Sequence, residues 1–131
     1  MNMKNVICGG VAGTIFIFIF DMIVHGMLLA GQYEATASIW RPMEEMNSMM
    51  WFMVLGQALL AFATAYFVCH KGIRGAKNGA KFGKMIGVFL AIAAIGNYLF
   101  LPLSFTLPAL WAVSMFVTMG CVGAIAGWCN K

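Results

Sequence analysis

Four long apolar stretches limit the folds open to this sequence more than any other feature. They cover residues 5–30, 49–69, 82–101 and 108–129. A helix needs about 20 apolar residues to cross the roughly 30 Å hydrocarbon layer of a bilayer, and each stretch reaches that length. Membrane strands alternate apolar and polar residues, whereas residues 15–20 are uniformly apolar. We therefore predict an all-α integral membrane four-helix bundle that forms a single transmembrane domain.

Composition excludes a soluble domain. Hydrophobic residues make up 63% of the chain and charged residues 9%, against about 45–50% and about 25% in soluble domains. A chain of 131 residues is too small to bury so much apolar surface in its own core. The net charge of +4 comes from few acidic residues rather than many basic ones. Membrane lipids are therefore the expected partners, and nucleic acid is not.

The basic residues predict the orientation of the bundle. Arg41 falls on one side of the four-span arrangement, next to the acidic residues of the 31–47 segment. The other seven fall on the opposite side, several of them in the glycine-rich loop 70–81: Lys4, Lys71, Arg74, Lys77, Lys81, Lys84 and Lys131. Basic residues of short loops stay in the cytoplasm. We therefore expect both termini to be cytoplasmic, and residues 31–47 to lie along the outer membrane surface.

Polar side chains inside the apolar stretches mark the candidate site. Asp21 and His25 lie four residues apart on the first stretch, where they share a helix face and can hold a proton or a cation. A polar group facing lipid is costly, so such residues should turn inward and meet. The expected ligand-binding residues of one outward-facing polar pocket are Asp21, His25, Gln57, Asn97, Ser114 and Thr118.

The 31–47 segment supplies the residues expected at the mouth of this pocket. Aromatic side chains with a polar edge favour the membrane surface, and charged side chains stay in water. The predicted mouth residues are Tyr33, Trp40, Arg41, Glu44 and Glu45.

A methionine stripe raises a metal-site alternative. Met46, Met50 and Met53 recur at helical spacing, and together with His25 they would form a site near the mouth. Thioether sulfur is a soft ligand suited to Cu(I), but methionine also fills irregular apolar gaps, and both interpretations stay open. Three of the four cysteines fall at the cytoplasmic end of the arrangement, where we expect thiols to stay reduced.

Glycines four residues apart recur in the chain. They occur as Gly9/Gly13, as Gly123/Gly127 and as a series from Gly75 to Gly87. Small residues at this spacing let two helices approach closely in lipid. The spacing predicts either contacts within one bundle or the seam of a homo-oligomer.

A resemblance covers the first 50 or so residues. The motif Asp21-x-x-x-His25-Gly26, followed by Tyr33, Trp40-Arg41-Pro42 and Met50-Trp51, resembles a group of small four-helix bacterial membrane proteins with no assigned activity. The resemblance implies a multi-pass protein of the bacterial inner membrane. It implies no activity or cofactor.

These features predict transport or binding of a cation, a proton or a small polar solute by the polar pocket. Two alternatives remain: a non-catalytic accessory subunit of a larger membrane complex, and Cu(I) binding or uptake. An enzyme is less expected, because no nucleophile accompanies Asp21 and His25.

Overall fold

The computed structural model describes all 131 residues and is all-helical, with no strands. Its helices are α1 (Met3–Ile23), α2 (Ala30–Ala35), α3 (Met43–Ser48), α4 (Met50–His70), α5 (Ala76–Gly96) and α6 (Thr106–Cys129). A π-helical turn, Val24–Leu28, extends α1, and short 3-10 turns cover Ala37–Ile39 and Asn97–Leu99. The helices α1, α4, α5 and α6, with their extensions, are long and apolar enough to cross a membrane. The prediction of four such helices is confirmed.

Local signals explain several helix ends. The side chain of Asn2 accepts a hydrogen bond from the backbone N–H of Lys4 at 3.0 Å and caps α1. Pro42 immediately precedes α3. Pro108 lies in the first turn of α6, where a missing N–H costs nothing.

Three helices form the centre of the bundle, and the fourth lies outside it. α1 packs against both α4 and α6, whereas α5 packs almost entirely on α6. A Cβ placed on Gly13 would lie 3.1 Å from the Cβ of Ala61 and 3.4 Å from Val122, and Gly9 faces Ala65 and Ala126 in the same way. Small residues thus hold α1, α4 and α6 in one register.

The seam between α5 and α6 is built from glycine. Gly79 and Gly83 lie against Gly123, and a Cβ on Gly79 would overlap the carbonyl oxygen of Gly123. Of the two interpretations of the glycine spacing, contact within one bundle is the one that the structure shows. This seam also explains why α5 begins at Ala76 rather than at residue 82. Hydropathy marks only the apolar part of α5, while glycine packing carries the helix further.

The loop between α4 and α5 is correspondingly shorter than the predicted 70–81. Gly72 and Gly75 turn the chain with φ of +65° and +82°, a conformation that glycine adopts without steric cost. The side-chain amide of Asn130 donates to the carbonyl of Ile73 at 2.8 Å and accepts from Asn5 at 3.2 Å. Both termini and this loop therefore meet at one end of the bundle, which we call the basic end. The opposite end, with α2, α3 and residues 97–105, is the polar end.

The cysteines depart from expectation. The structure joins Cys8 of α1 to Cys129 of α6 in a disulfide, with their Cα atoms 6.0 Å apart, and leaves Cys69 and Cys121 free. The expectation of reduced thiols at the cytoplasmic end is therefore wrong for Cys8 and Cys129 in this structure. It rested on the cellular compartment alone, whereas the close packing of α1 on α6 brings this pair within disulfide reach.

Candidate functional site

The packing register of the bundle brings four polar side chains to neighbouring turns of three helices. Ile17, Ala61 and Val122 form a buried cluster between α1, α4 and α6. Residues four apart share a helix face, so the next turn toward the polar end presents Asp21 on α1 and Gln57 on α4. On α6 the next two turns present Thr118 and Ser114. We call this set, Asp21, Gln57, Ser114 and Thr118, the polar layer.

A hydrogen bond between helices anchors the layer. The side-chain amide nitrogen of Gln57 donates to Oδ2 of Asp21 at 2.8 Å. No basic side chain pairs with Asp21, since the single ion pair of the chain joins Arg41 to Glu45. The Asp21 carboxylate is therefore held by a neutral donor and forms no ion pair.

The remaining oxygen atoms of the layer have no partner. They are Asp21 Oδ1, Gln57 Oε1, Ser114 Oγ and Thr118 Oγ1, all fully enclosed and without a hydrogen bond. Elsewhere in the bundle the Thr14 and Thr64 hydroxyls donate to carbonyls of their own helix, at 2.7 and 2.9 Å, the usual way to satisfy threonine in a helix. Ser114 and Thr118 do not use this option.

His25 belongs to a different set of contacts. It lies in the π-helical turn Val24–Leu28, and neither a hydrogen bond nor an ion pair joins it to Asp21. Its Nδ1 lies 2.6 Å from the Tyr33 hydroxyl, which also accepts a hydrogen bond from Trp111 Nε1 at 2.7 Å. The Tyr33 oxygen accepts from Trp111 and keeps its own proton to donate; in the His25 tautomer that uses this proton, Tyr33 donates to His25 Nδ1. The second ring nitrogen of His25 then carries the proton.

Burial raises the pKa of the Tyr33 hydroxyl, and the charge of Asp21 acts in the same direction, while the hydrogen bond from Trp111 opposes both. The hydroxyl therefore stays protonated at neutral pH, and the chain from Trp111 through Tyr33 to His25 stays intact.

An open groove of about 340 Å³ lies beside this chain, between the π-helical turn, α2, α5 and α6. Asn97 lines it, although the side-chain amide of Asn97 also donates to the carbonyls of Ala93 and Ala94 at 3.3 Å. We call it the aromatic groove; its lining is His25, Tyr33, Leu90, Ala93, Ala94, Asn97, Trp111 and Met115. The single predicted pocket is thus divided, with His25 and Asn97 in the groove and the other four residues in the polar layer.

The predicted mouth residues are divided as well. Trp40 packs edge-on against Tyr33 and Trp111, with ring centroids 5.6 and 6.1 Å apart. Tyr33 therefore belongs to the wall of the groove, and Trp40 packs against two residues of that wall. Arg41 pairs with Glu45 in an exposed contact, and Glu44 is exposed beside them.

The methionine stripe is interrupted by the fold. Met46 lies on α3, whereas Met50 and Met53 lie on α4, and all three side chains are partly exposed. His25 Nδ1 is already occupied by Tyr33. No group of three or more His, Cys, Asp or Glu side chains is placed to hold a metal ion. A Cu(I) site stays a prediction.

Sequence reasoning missed Trp111 and Thr36. Trp111 supplies the donor that fixes Tyr33, and Thr36 Oγ1 accepts the Trp40 indole N–H at 2.9 Å. A signal existed, because an indole N–H near the end of an apolar helix needs an acceptor. The chain does not show which acceptor, since Tyr33 is 78 residues away from Trp111.

These features define the class of the molecule: an all-helical chain with four helices able to cross a membrane and a half-buried carboxylate that a second helix holds by a hydrogen bond. Protein-family models, curated proteins and solved structures yield no match to this chain. The chemistry of the polar layer and the groove is therefore the basis for a functional assignment.

Proposed function

We propose that this protein lies in the bacterial inner membrane, with both termini in the cytoplasm, and binds or transports a cation, a proton or a small polar solute through its polar end. The observation that carries the proposal is the Asp21 carboxylate, held by Gln57 at 2.8 Å and paired with no basic residue. The clustering of basic residues at the end that holds both termini supports the orientation.

An unpaired acidic group among apolar helices is costly, and such groups mark ion or proton pathways. If Asp21 served only to tie α1 to α4, a neutral side chain would form the same hydrogen bond without the cost of a charge. The unpartnered oxygens around it favour a ligand that is positively charged or that donates hydrogen bonds.

The π-helical turn places His25, which lines an open groove, next to the polar layer. Asp21 lies in the last turn of α1, and His25 lies in the π-helical turn that follows it. Short π-helical segments inside α-helices are frequent at functional sites. The groove beside His25 offers an N–H donor from the ring and an acceptor oxygen from Asn97. A polar solute can dock there next to the enclosed layer.

The Asp21→Asn variant tests the proposal, because it keeps the shape of the side chain and removes its charge. The full-length protein, reconstituted in liposomes with a pH-sensitive dye inside, is subjected to an imposed membrane potential and to pH steps. We expect the internal pH of liposomes with the wild type to change after each step, and the internal pH of liposomes with Asp21→Asn to stay constant.

Glu44→Gln is the matched control, since Glu44 is exposed on α3 and touches neither site. It should keep the wild-type response. An Asp21→Asn protein that behaves like the wild type in flux and in pH-dependent thermal stability contradicts the proposal.

A second candidate is the accessory subunit of a larger membrane complex. The exposure of α5 favours this candidate. Only 11% of the apolar segment of α5 is buried inside the chain, because α5 packs almost solely on α6. Purification from native membranes in mild detergent tests this candidate. A stoichiometric partner that is lost when the outer face of α5 is substituted, for example in Phe89→Ala, supports it. A purely monomeric protein contradicts it.

A further inference from the structure

We propose that the polar layer holds one alkali-metal cation of sodium's size, bound by oxygen atoms of Asp21, Gln57, Ser114 and Thr118. This inference rests on the proposed function and names the ligand class of the same site. It is argued from the identity, the enclosure and the charge of the atoms that the helices bring together.

The donor set consists of oxygen alone. The unpartnered atoms are one carboxylate oxygen, one amide oxygen and two hydroxyl oxygens, and such ligands suit hard cations. The side chains are fixed by burial, since Gln57, Ser114 and Thr118 are 7%, 6% and 1% exposed. The Gln57 amide nitrogen already faces Asp21, which leaves its oxygen free for a ligand.

The register of the helices places these oxygens on facing surfaces of α1, α4 and α6, over two successive turns. α4 and α6 run in the same direction, and Ala61 of α4 and Val122 of α6 pack together in one cluster with Ile17 of α1. One turn further, Gln57 is therefore level with Thr118. Asp21 reaches Gln57 from α1 across the same interface.

The enclosure of the oxygens argues against two other occupants. They are not hydrogen-bonded to one another, and all four are closed to solvent, which disfavours water. A cation of calcium's size binds oxygens at about 2.3–2.6 Å, so its ligands can lie beyond hydrogen-bonding distance from each other. A proton on Asp21 would supply a single donor, which can serve one further oxygen and leaves the others without a partner.

Charge selects a monovalent ion. Asp21 contributes one negative charge, and no basic side chain forms an ion pair with it. One sodium-sized monovalent cation makes the layer neutral. A divalent cation would leave a net positive charge among apolar helices, which is costly.

The test uses the purified full-length protein in detergent micelles. Its melting midpoint is measured in mixtures of NaCl and choline chloride at constant ionic strength. Anything that binds only the folded state raises the melting temperature in a saturable way. We expect a saturable rise with Na⁺, a smaller rise with K⁺ and none with choline.

Two variants locate the effect. Ser114→Ala/Thr118→Ala removes two of the oxygen ligands and should weaken the apparent Na⁺ affinity at least tenfold. Thr64→Ala removes a buried hydroxyl that already bonds to its own helix. Whatever stability Thr64→Ala loses, its Na⁺ affinity should equal that of the wild type.

Failure of this inference differs from failure of the proposed function. A wild type that melts at the same temperature in Na⁺ and choline overturns the cation site, as does an unchanged Na⁺ response in Ser114→Ala/Thr118→Ala. If Asp21→Asn still abolishes the pH response in liposomes, the proposed function stands without the cation. If Asp21→Asn keeps the wild-type pH response as well, both the cation site and the proposed function are contradicted.

Discussion

The two halves of this bundle differ in how they pack and in how they treat their polar atoms. Toward the basic end, Gly9, Gly13 and the α5–α6 glycines bring backbones into contact, and the buried Thr64 hydroxyl bonds to its own helix. Toward the polar end, Asp21 and its neighbours on α4 and α6 keep enclosed oxygens without partners. The first half therefore satisfies its packing and its hydrogen bonds within the chain, whereas the second leaves enclosed polar atoms unsatisfied. The proposal that the second half binds a ligand rests on this difference.

The largest effect is expected in the packed half. Gly83→Leu adds a side chain where even a Cβ would overlap the carbonyl of Met119, so α5 and α6 must separate. We expect a loss of more than about 3 kcal/mol of stability and little monodisperse protein in size-exclusion chromatography. Gly56→Ala is the control, because nothing lies within 4 Å of Gly56; it should be neutral or stabilising by about 0.5–1 kcal/mol. Equal behaviour of the two variants would refute the glycine seam.

A smaller loss is expected in the polar layer. Gln57→Leu leaves the Asp21 carboxylate without its donor, which should cost about 1–3 kcal/mol in denaturant unfolding from micelles. The double variant Asp21→Leu/Gln57→Leu removes both partners and should recover most of that loss, since paired removal of polar groups is nearly neutral. A double variant less stable than Gln57→Leu would show that the layer contributes to folding rather than to ligand binding.

Sequence alone predicted the packed half in outline and the polar half only in part. Apolar length located all four long helices, yet it placed the start of α5 six residues too late, because glycine packing leaves no hydropathy signal at Gly79. The sequence predicted that Asp21, Gln57, Ser114 and Thr118 turn inward and meet, and the structure places them on facing surfaces of α1, α4 and α6 over two successive turns. His25 and Asn97 were separated from them by the π-helical turn and by the position of α5 outside the centre, and neither is encoded in a residue pattern.

Substitution in the aromatic groove should cost less stability than substitution in the polar layer. Tyr33→Phe removes the hydroxyl that links Trp111 to His25, at an expected cost of about 1 kcal/mol. Burial raises the pKa of Tyr33 above the ordinary tyrosine value of about 10. The stabilising effect of the protonated Tyr33 hydroxyl is therefore fully present below that pH and is lost as the pH rises beyond it. The absorbance difference at the tyrosinate band between wild type and Tyr33→Phe should appear only above that pH. Titration of this difference below pH 10 would contradict the buried hydroxyl.

The smallest expected effect concerns the cysteines of the basic end. If this end faces the cytoplasm, Cys8 and Cys129 should be reduced in growing cells and should form their disulfide only after purification in air. Acid quenching of cells followed by alkylation and mass spectrometry measures this directly. A Cys8–Cys129 disulfide already present in intact cells would place the basic end on the oxidising side of the membrane and reverse the proposed orientation.

The central claim is that Asp21 is held inside the bundle by Gln57 of another helix. Solid-state NMR of the protein in lipid bilayers, with ¹⁵N in the glutamine side chains and ¹³C in the aspartate carboxyl groups, tests it most directly. The 2.8 Å hydrogen bond predicts a through-space correlation between Gln57 Nε2 and the Asp21 carboxyl carbon that disappears in Gln57→Leu. A carboxyl signal that correlates with lipid acyl protons instead, with no contact to Gln57, would contradict the account.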